Sequence, residues 1–113
     1  MIYEIRNYYY EPTQLAAYKI WAKTRAMAYL KRNFNVLGFW GNTDPRPEVT
    51  GRAMDDLGSS NITWIIGWDD ITTRKATIDR AFSSPEWQKI FADVPGGIAS
   101  YLRIECKFAE SLM

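Results

Sequence analysis

The segment Ile62–Asp69, ITWIIGWD, constrains the fold more than any other part of the chain. Its β-branched and aromatic residues favour a strand. Side chains alternate along a strand, so Ile62, Trp64, Ile66 and Trp68 point one way and Thr63 and Ile65 the other. A strand apolar on both sides is buried on both sides. The fold must therefore cover both faces of the sheet that holds it.

The flanking segments predict that sheet. Ile2–Tyr10 is dense in β-branched and aromatic residues and reads as a strand ended by Glu11-Pro12. Leu15, Tyr18, Ala22, Arg25 or Ala26, and Tyr29 recur at helical spacing, which predicts a helix from Thr13 to about Asn33. Asn33 or Asn35 is expected to close it in the left-handed conformation. Val36–Gly41 reads as a short buried strand. Asn42–Asn61, with its prolines, glycines and acidic residues, reads as a long loop, pinned by Met54 and Leu57, with a short strand considered at Glu48–Arg52. Asp70 is placed to cap a helix. Ser84-Pro85-Glu86 starts another, with cap, first-turn proline and acidic residue in order. Pro95-Gly96-Gly97 ends it, and Ala99–Phe108 alternates as a last strand. The order βαββαβ predicts an α+β, ferredoxin-like single domain over residues 1–113, with a four-stranded antiparallel sheet.

Helices on one face of such a sheet leave the other bare. The economical cover is a second copy, so an isologous homodimer joined through the open sheet face is expected. On the last strand, Leu102, Ile104, Cys106 and Phe108 are expected under the helices, with Tyr101, Arg103, Glu105 and Lys107 opposite. Glu4 and Arg6 are expected to share the face of Arg103 and Glu105, where opposite charges pair across strands. Ile2, Tyr8, Trp40 or Phe39 and one alternate set of the third strand join that face, and Tyr9 packs under the helices.

Composition narrows the chemistry. The 113 residues carry a net charge of +1, which argues against a basic nucleic-acid face. The chain has no histidine, which removes triads, a histidine base, proximal-histidine haem and most zinc or iron sites. One cysteine, Cys106, excludes an internal disulfide and reads as a small core residue. No metal site or cofactor is expected. No apolar run reaches the roughly 18 residues of a membrane span, and the N-terminal segment lacks signal-peptide character, so a cytoplasmic location is expected.

Several motifs carry a resemblance. Tyr3-Glu4-x-Arg6, Gly38-Phe39-Trp40, Trp68-Asp69 followed by Ile71 and Arg74, and Pro85-Glu86-Trp87 followed by Phe91 resemble the NIPSNAP family in order and spacing. Ser111-Leu112-Met113 also resembles the family's ending. The resemblance implies a dimeric α/β barrel built from ferredoxin-like protomers. The wider superfamily includes cofactor-free monooxygenases, small decarboxylases and isomerases, haem-degrading enzymes and ligand sensors. Trp64 stands where family members often carry histidine, Ile66-Gly67-Trp68 replaces a Trp-Glu-Tyr pattern, and the 42–61 loop is longer than usual.

Six residues are candidate ligand contacts: Arg6, Tyr8, Trp40, Trp64, Trp68 and Arg103. Arg6 or Arg103 can hold a carboxylate or an enolate; the competing role is a cross-strand ion-pair network. Trp40, Trp64 and Trp68 can line a flat aromatic pocket; the competing role is core and interface packing. Tyr8 can donate a hydrogen bond to a ligand. No catalytic residue is assigned. Two functions follow: a homodimer that binds a small hydrophobic or aromatic molecule or a protein partner, or a cofactor-independent enzyme of monooxygenase or isomerase type. The second needs mainly orientation and charge stabilisation of an aromatic or enolic substrate.

Overall fold

A computed structural model describes all 113 residues. The strands are β1 (Ile2–Tyr10), β2 (Val36–Gly41), β3 (Ile62–Trp68) and β4 (Tyr101–Ala109). They form one sheet in the order β2-β3-β1-β4, with every neighbouring pair antiparallel. This is the ferredoxin-like arrangement, an open sheet with its helices on one face. No helix is long and apolar enough to cross a membrane.

A helical run follows β1. A 3₁₀ turn at Pro12–Gln14 leads into α1 (Leu15–Trp21), and α2 (Met27–Asn33) continues it. A wider π turn, Ala22–Ala26, joins the two. No residue other than glycine has a positive φ, so neither Asn33 nor Asn35 closes the helix in the left-handed conformation. Phe34 ends it instead by turning extended, with its amide on the Leu30 carbonyl and its ring on Trp64, Trp68 and Phe82. Core packing of Phe34 replaces the expected asparagine cap.

The second helical run starts as its capping residues predict. Asp70 accepts from the Thr72 amide, and α3 (Arg74–Ser83) follows. Ser84 accepts from the Trp87 amide at 3.1 Å and opens α4 (Pro85–Phe91). Its hydroxyl also meets that of Tyr29 at 2.6 Å, so one serine ties the two helical runs together. Ser84→Ala is expected to cost about 1–2 kcal/mol in urea unfolding, the upper range of a lost N-cap. An unchanged midpoint and slope would remove Ser84 from this role. After α4 the chain turns at Gly96 and Gly97, with φ near +75°, where glycine is favoured.

The sheet corrects the expected sidedness of β1. Glu4 lies opposite Ile66 and Phe108, Arg6 opposite Trp64 and Cys106, and Tyr8 opposite Ile62 and Ile104. All belong to the face covered by the helices. Glu4 and Arg6 therefore do not share a face with Arg103 and Glu105. The reason is local neutralisation: buried partners surround Glu4, as described below. Tyr9 also lies on the open face, where the Arg103 guanidinium sits 5.7 Å from its ring centre.

β4 departs from simple alternation. A register shift between Tyr9 and Tyr10 pairs Tyr10 with Tyr101, leaving Leu102 as the extra residue. Tyr101 thereby turns into the core, against Tyr8, Tyr10, Tyr18 and Phe91. Ile104, Cys106 and Phe108 do face the helix side. As β4 is an edge strand, however, Leu102, Ile104 and Phe108 stay substantially exposed. β2 is the other edge and is likewise largely uncovered, contrary to its expected burial.

The segment from 42 to 61 has no strand at Glu48–Arg52. Met54 is exposed and pins nothing. Arg103 holds the loop instead, donating to Asp55 Oδ1 and the Gly58 carbonyl at 2.6 Å each, and to Ser60 Oγ at 3.2 Å. The opposite end is tied by Asn61, whose side chain bonds both the amide and the carbonyl of Tyr10.

Candidate functional site

The site begins with a carboxylate that would be unstable alone. Glu4 is fully buried between the sheet and α3. β1 brings Arg6 beside it, with Nη1 donating to Oε2 at 2.6 Å. The first residue of α3, Arg74, donates from Nε to Oε1 at 2.6 Å and from Nη2 to Oε2 at 3.1 Å. β3 contributes Trp68, whose indole N–H reaches Oε1 at 3.0 Å. β4 contributes the Cys106 thiol, 3.1 Å from Oε2. Burial alone would raise the carboxyl pKa. The hydrogen bonds from Arg74, Cys106, Arg6 and Trp68 outweigh it and hold the pKa at about 2. Burial, reinforced by Glu4, pushes the Cys106 thiol up, so it stays protonated and donates.

Arg6 links this cluster to a cavity. Its Nε donates to the Tyr8 hydroxyl at 2.7 Å, and its guanidinium lies 5.4 Å from the centre of the Trp64 ring. Trp64 donates its own indole N–H to the same Tyr8 oxygen at 2.9 Å. Burial raises the phenol pKa, while the neighbouring Arg6 charge and both hydrogen bonds oppose that rise. Trp64 also stacks on Phe39 of β2, which fixes the indole's tilt.

The cavity has a volume of about 180 Å³ and lies between the sheet and the helices. Arg6 is its one charged lining residue. Tyr8, Trp64, Phe39, Tyr101 and Ile104 come from the sheet. Tyr18, Trp21, Ala26 and Leu30 come from the first helical run, and Phe82, Trp87 and Phe91 from α3 and α4. The π turn lies against this space, with Trp21 before it and Ala26 at its end. Trp21 is fixed by its indole N–H on the Ile90 carbonyl at 3.0 Å. Ile98 and Ile104, 71% and 57% exposed, mark the mouth. The volume is close to the roughly 150 Å³ of an apolar cavity that holds benzene. The space suits one substituted ring.

The six candidate residues divide. Arg6, Tyr8 and Trp64 line the cavity together. Trp68 stands one step away, on the same face, and serves Glu4. Trp40 lies on the opposite face of the sheet, paired with Thr63, so the three tryptophans do not form one pocket. Its ring folds over Gly38, where an added Cβ would lie 2.0 Å from the indole edge. Arg103 is on the open face and is occupied by the 42–61 loop, so it does not reach the cavity. Glu4 and Arg74 were not among the candidate contacts. Arg74 lies at the head of a helix, where apolar periodicity gives no signal for a polar partner. Trp87 and Phe91 read as core from their spacing, and they are core that also borders a void.

The other face of the sheet is also partly apolar. Tyr3, Ile5, Ile65 and Trp40 belong to it, beside a polar ladder in which Thr63 donates to Asn7 and Asn7 to Glu105.

No family model matches the sequence, and no curated protein is detectably similar to it. Solved structures are similar in fold. An uncharacterised NIPSNAP domain protein from Burkholderia xenovorans superposes with a TM-score of 0.74 at 15% identity, over 98% of this chain and 94% of that one. A NIPSNAP family protein of unknown function from Agrobacterium tumefaciens gives 0.70 at 17% identity, over 96% of this chain and 86% of that one. An antibiotic biosynthesis monooxygenase gives 0.56 at 10% identity, with both chains fully covered. The chain has the ferredoxin-like fold of the NIPSNAP domain proteins.

Proposed function

We propose that the protein is a NIPSNAP-type homodimeric domain in which each protomer binds one compact, apolar, single-ring molecule between its sheet and helices. The cavity carries this reading: an aromatic-walled space of about 180 Å³ with Arg6 and Tyr8 at one end. Pockets that hold small molecules combine apolar walls with a few oriented polar groups. A void left only by poor packing has no reason to place a guanidinium and a doubly hydrogen-bonded phenol on its wall. The second face of the sheet supports the homodimer, because Tyr3, Ile5, Ile65 and Trp40 leave an apolar area for a second copy to cover.

The same geometry also favours cofactor-independent chemistry as a second reading. An arginine on the wall of a partly open, largely apolar space can stabilise charge developing on an enolic or phenolic substrate. The fold shared with a monooxygenase is compatible with this reading but does not choose it.

Nitrobenzene titrated against tryptophan fluorescence tests the site, because Trp21, Trp64 and Trp87 all line it. Saturable quenching is expected. Ala26→Leu, which puts side-chain atoms into the void, is expected to weaken it at least tenfold, or by about 1.4 kcal/mol. Quenching that is linear with concentration and identical in both proteins would refute an interior site. Native mass spectrometry of freshly purified protein is expected to show twice the chain mass, with any bound molecule as a stoichiometric increment.

A further inference from the structure

We infer that the cavity takes its ligand as an oxygen anion, held jointly by the Tyr8 hydroxyl proton and the Nη2 group of Arg6, so that its occupant is a one-ring aromatic or enolic acid bound in ionised form. This inference rests on the reading of the cavity as a ligand site.

Hydrogen-bond accounting gives the two donors. A phenol has one proton to donate and lone pairs to accept with. The Tyr8 oxygen already accepts from Arg6 Nε and Trp64 Nε1. Its own proton has no acceptor in the chain, although Tyr8 is only 6% exposed and lines the cavity. Arg6 spends Nε on Tyr8 and Nη1 on Glu4 and Cys106. Its Nη2 makes no hydrogen bond within the chain. Two donors without a partner in the chain thus border the cavity, whose other hydroxyls, those of Tyr18 and Tyr101, are able to donate or accept. A ligand that offered only donors, or nothing polar, would leave the Tyr8 proton unpaired at a cost.

Charge accounting gives the ionisation state. Arg6 and Arg74 share a single carboxylate, Glu4, and neither has another acidic partner. Cys106 is the remaining titratable group of the cluster and is a neutral thiol. The cluster therefore carries one positive charge more than its carboxylate balances, shared by two guanidiniums that are 16% and 28% exposed, and an anionic ligand removes the imbalance. Both donors also bond more strongly to an anion than to a neutral oxygen. The volume limits the anion to about one ring, and the walls of tryptophan, tyrosine and phenylalanine select an apolar or aromatic body.

The test uses 4-nitrophenol, whose absorbance distinguishes phenol from phenolate, beside nitrobenzene, a near-isostere with no acidic oxygen. The unaltered protein is expected to lower the pH at which bound 4-nitrophenol ionises by about one unit or more, equivalent to at least tenfold preference for the anion. 4-Nitrophenol is expected to bind at least tenfold more tightly than nitrobenzene at a pH where it is ionised. Tyr8→Phe should remove most of that advantage, read as the ratio of 4-nitrophenol to nitrobenzene affinity. The absorbance titration needs no variant, so a poorly folding Tyr8→Phe protein does not block the decision. If nitrobenzene binds as tightly, or bound 4-nitrophenol ionises at the same or a higher pH than when free, the anion inference fails and the cavity reading stands. If neither compound binds, both fail together.

Discussion

Replacing Glu4 with alanine is expected to destabilise the fold by about 3–5 kcal/mol, the cost of removing one partner from a buried charge pair. This is a large part of the total stability of a domain of this size. The carboxylate accepts from two guanidiniums, one indole and one thiol, drawn from β1, α3, β3 and β4. Its loss leaves Arg6 and Arg74 facing each other without a counter-charge. Trp68 also loses the acceptor for its buried N–H. Glu4→Gln keeps the shape and one oxygen acceptor but loses the charge, so it should fall between wild type and alanine. Urea unfolding measures both. A cost for Glu4→Ala below about 1 kcal/mol, the range of an exposed ion pair, would contradict the assignment.

The same residue predicts a direction of pH dependence. The folded carboxyl titrates at about 2, below its ordinary value of 4.5. A lowered folded-state pKa means that the unfolded chain binds the proton more readily. Stability from Glu4 is therefore complete above pH 4.5 and drains away as pH falls from 4.5 towards 2. Glu4→Gln cannot lose what it never had, so its stability should fall less steeply over that interval. Parallel acid limbs for the two proteins would assign the low-pH loss to other carboxyls.

The burial of Glu4 has no local signature in the sequence. Strand β3 was legible because its apolar residues occupy both faces and admit few alternatives. The caps at Asp70 and Ser84 were legible because their hydrogen bonds are local. β1 was different. Tyr3, Ile5 and Tyr9 on one side compete with Ile2 and Tyr8 on the other, so alternation does not choose the buried face. The charges at Glu4 and Arg6 then bias the reading towards solvent. The residues that reverse it, Arg74 and Cys106, lie 70 and 102 positions from Glu4. No local pattern reports such partners. Tyr101 illustrates the same limit, because the register shift beside Tyr10 breaks the period on which its assignment depended. The cavity was legible in its materials but not its membership: tryptophans were available on four elements, and only the register places Trp64 beside Tyr8 while sending Trp40 to the far face.

That far face carries the other large effect. Ile65→Arg is expected to convert the proposed homodimer into monomers, weakening association by about a thousandfold or more, equivalent to at least 4 kcal/mol. Ile65 lies in the sheet between Ile5 of β1 and Gly38 of β2. In the single chain it faces away from the helices and from the Glu4 cluster. An arginine there can extend into solvent when the chain is alone, so the fold itself should tolerate it. In a face-to-face dimer it cannot. Two-fold symmetry brings the same substitution in from both copies, and each guanidinium must then be desolvated without an acid beside it. The carboxylates that reach this face, Glu105 and Asp55, are already engaged by Asn7 and Arg103. Ile20→Arg provides the control, since Ile20 is exposed on the outer helical surface, away from the sheet. It should leave assembly unchanged. Sedimentation equilibrium, with circular dichroism to confirm folding, reads both variants. A folded Ile65→Arg protein that keeps the wild-type mass would remove this face from the interface. A wild-type protein that sediments as a monomer would mean that Tyr3, Ile5, Ile65 and Trp40 remain uncovered, and would withdraw the homodimer while leaving the cavity intact.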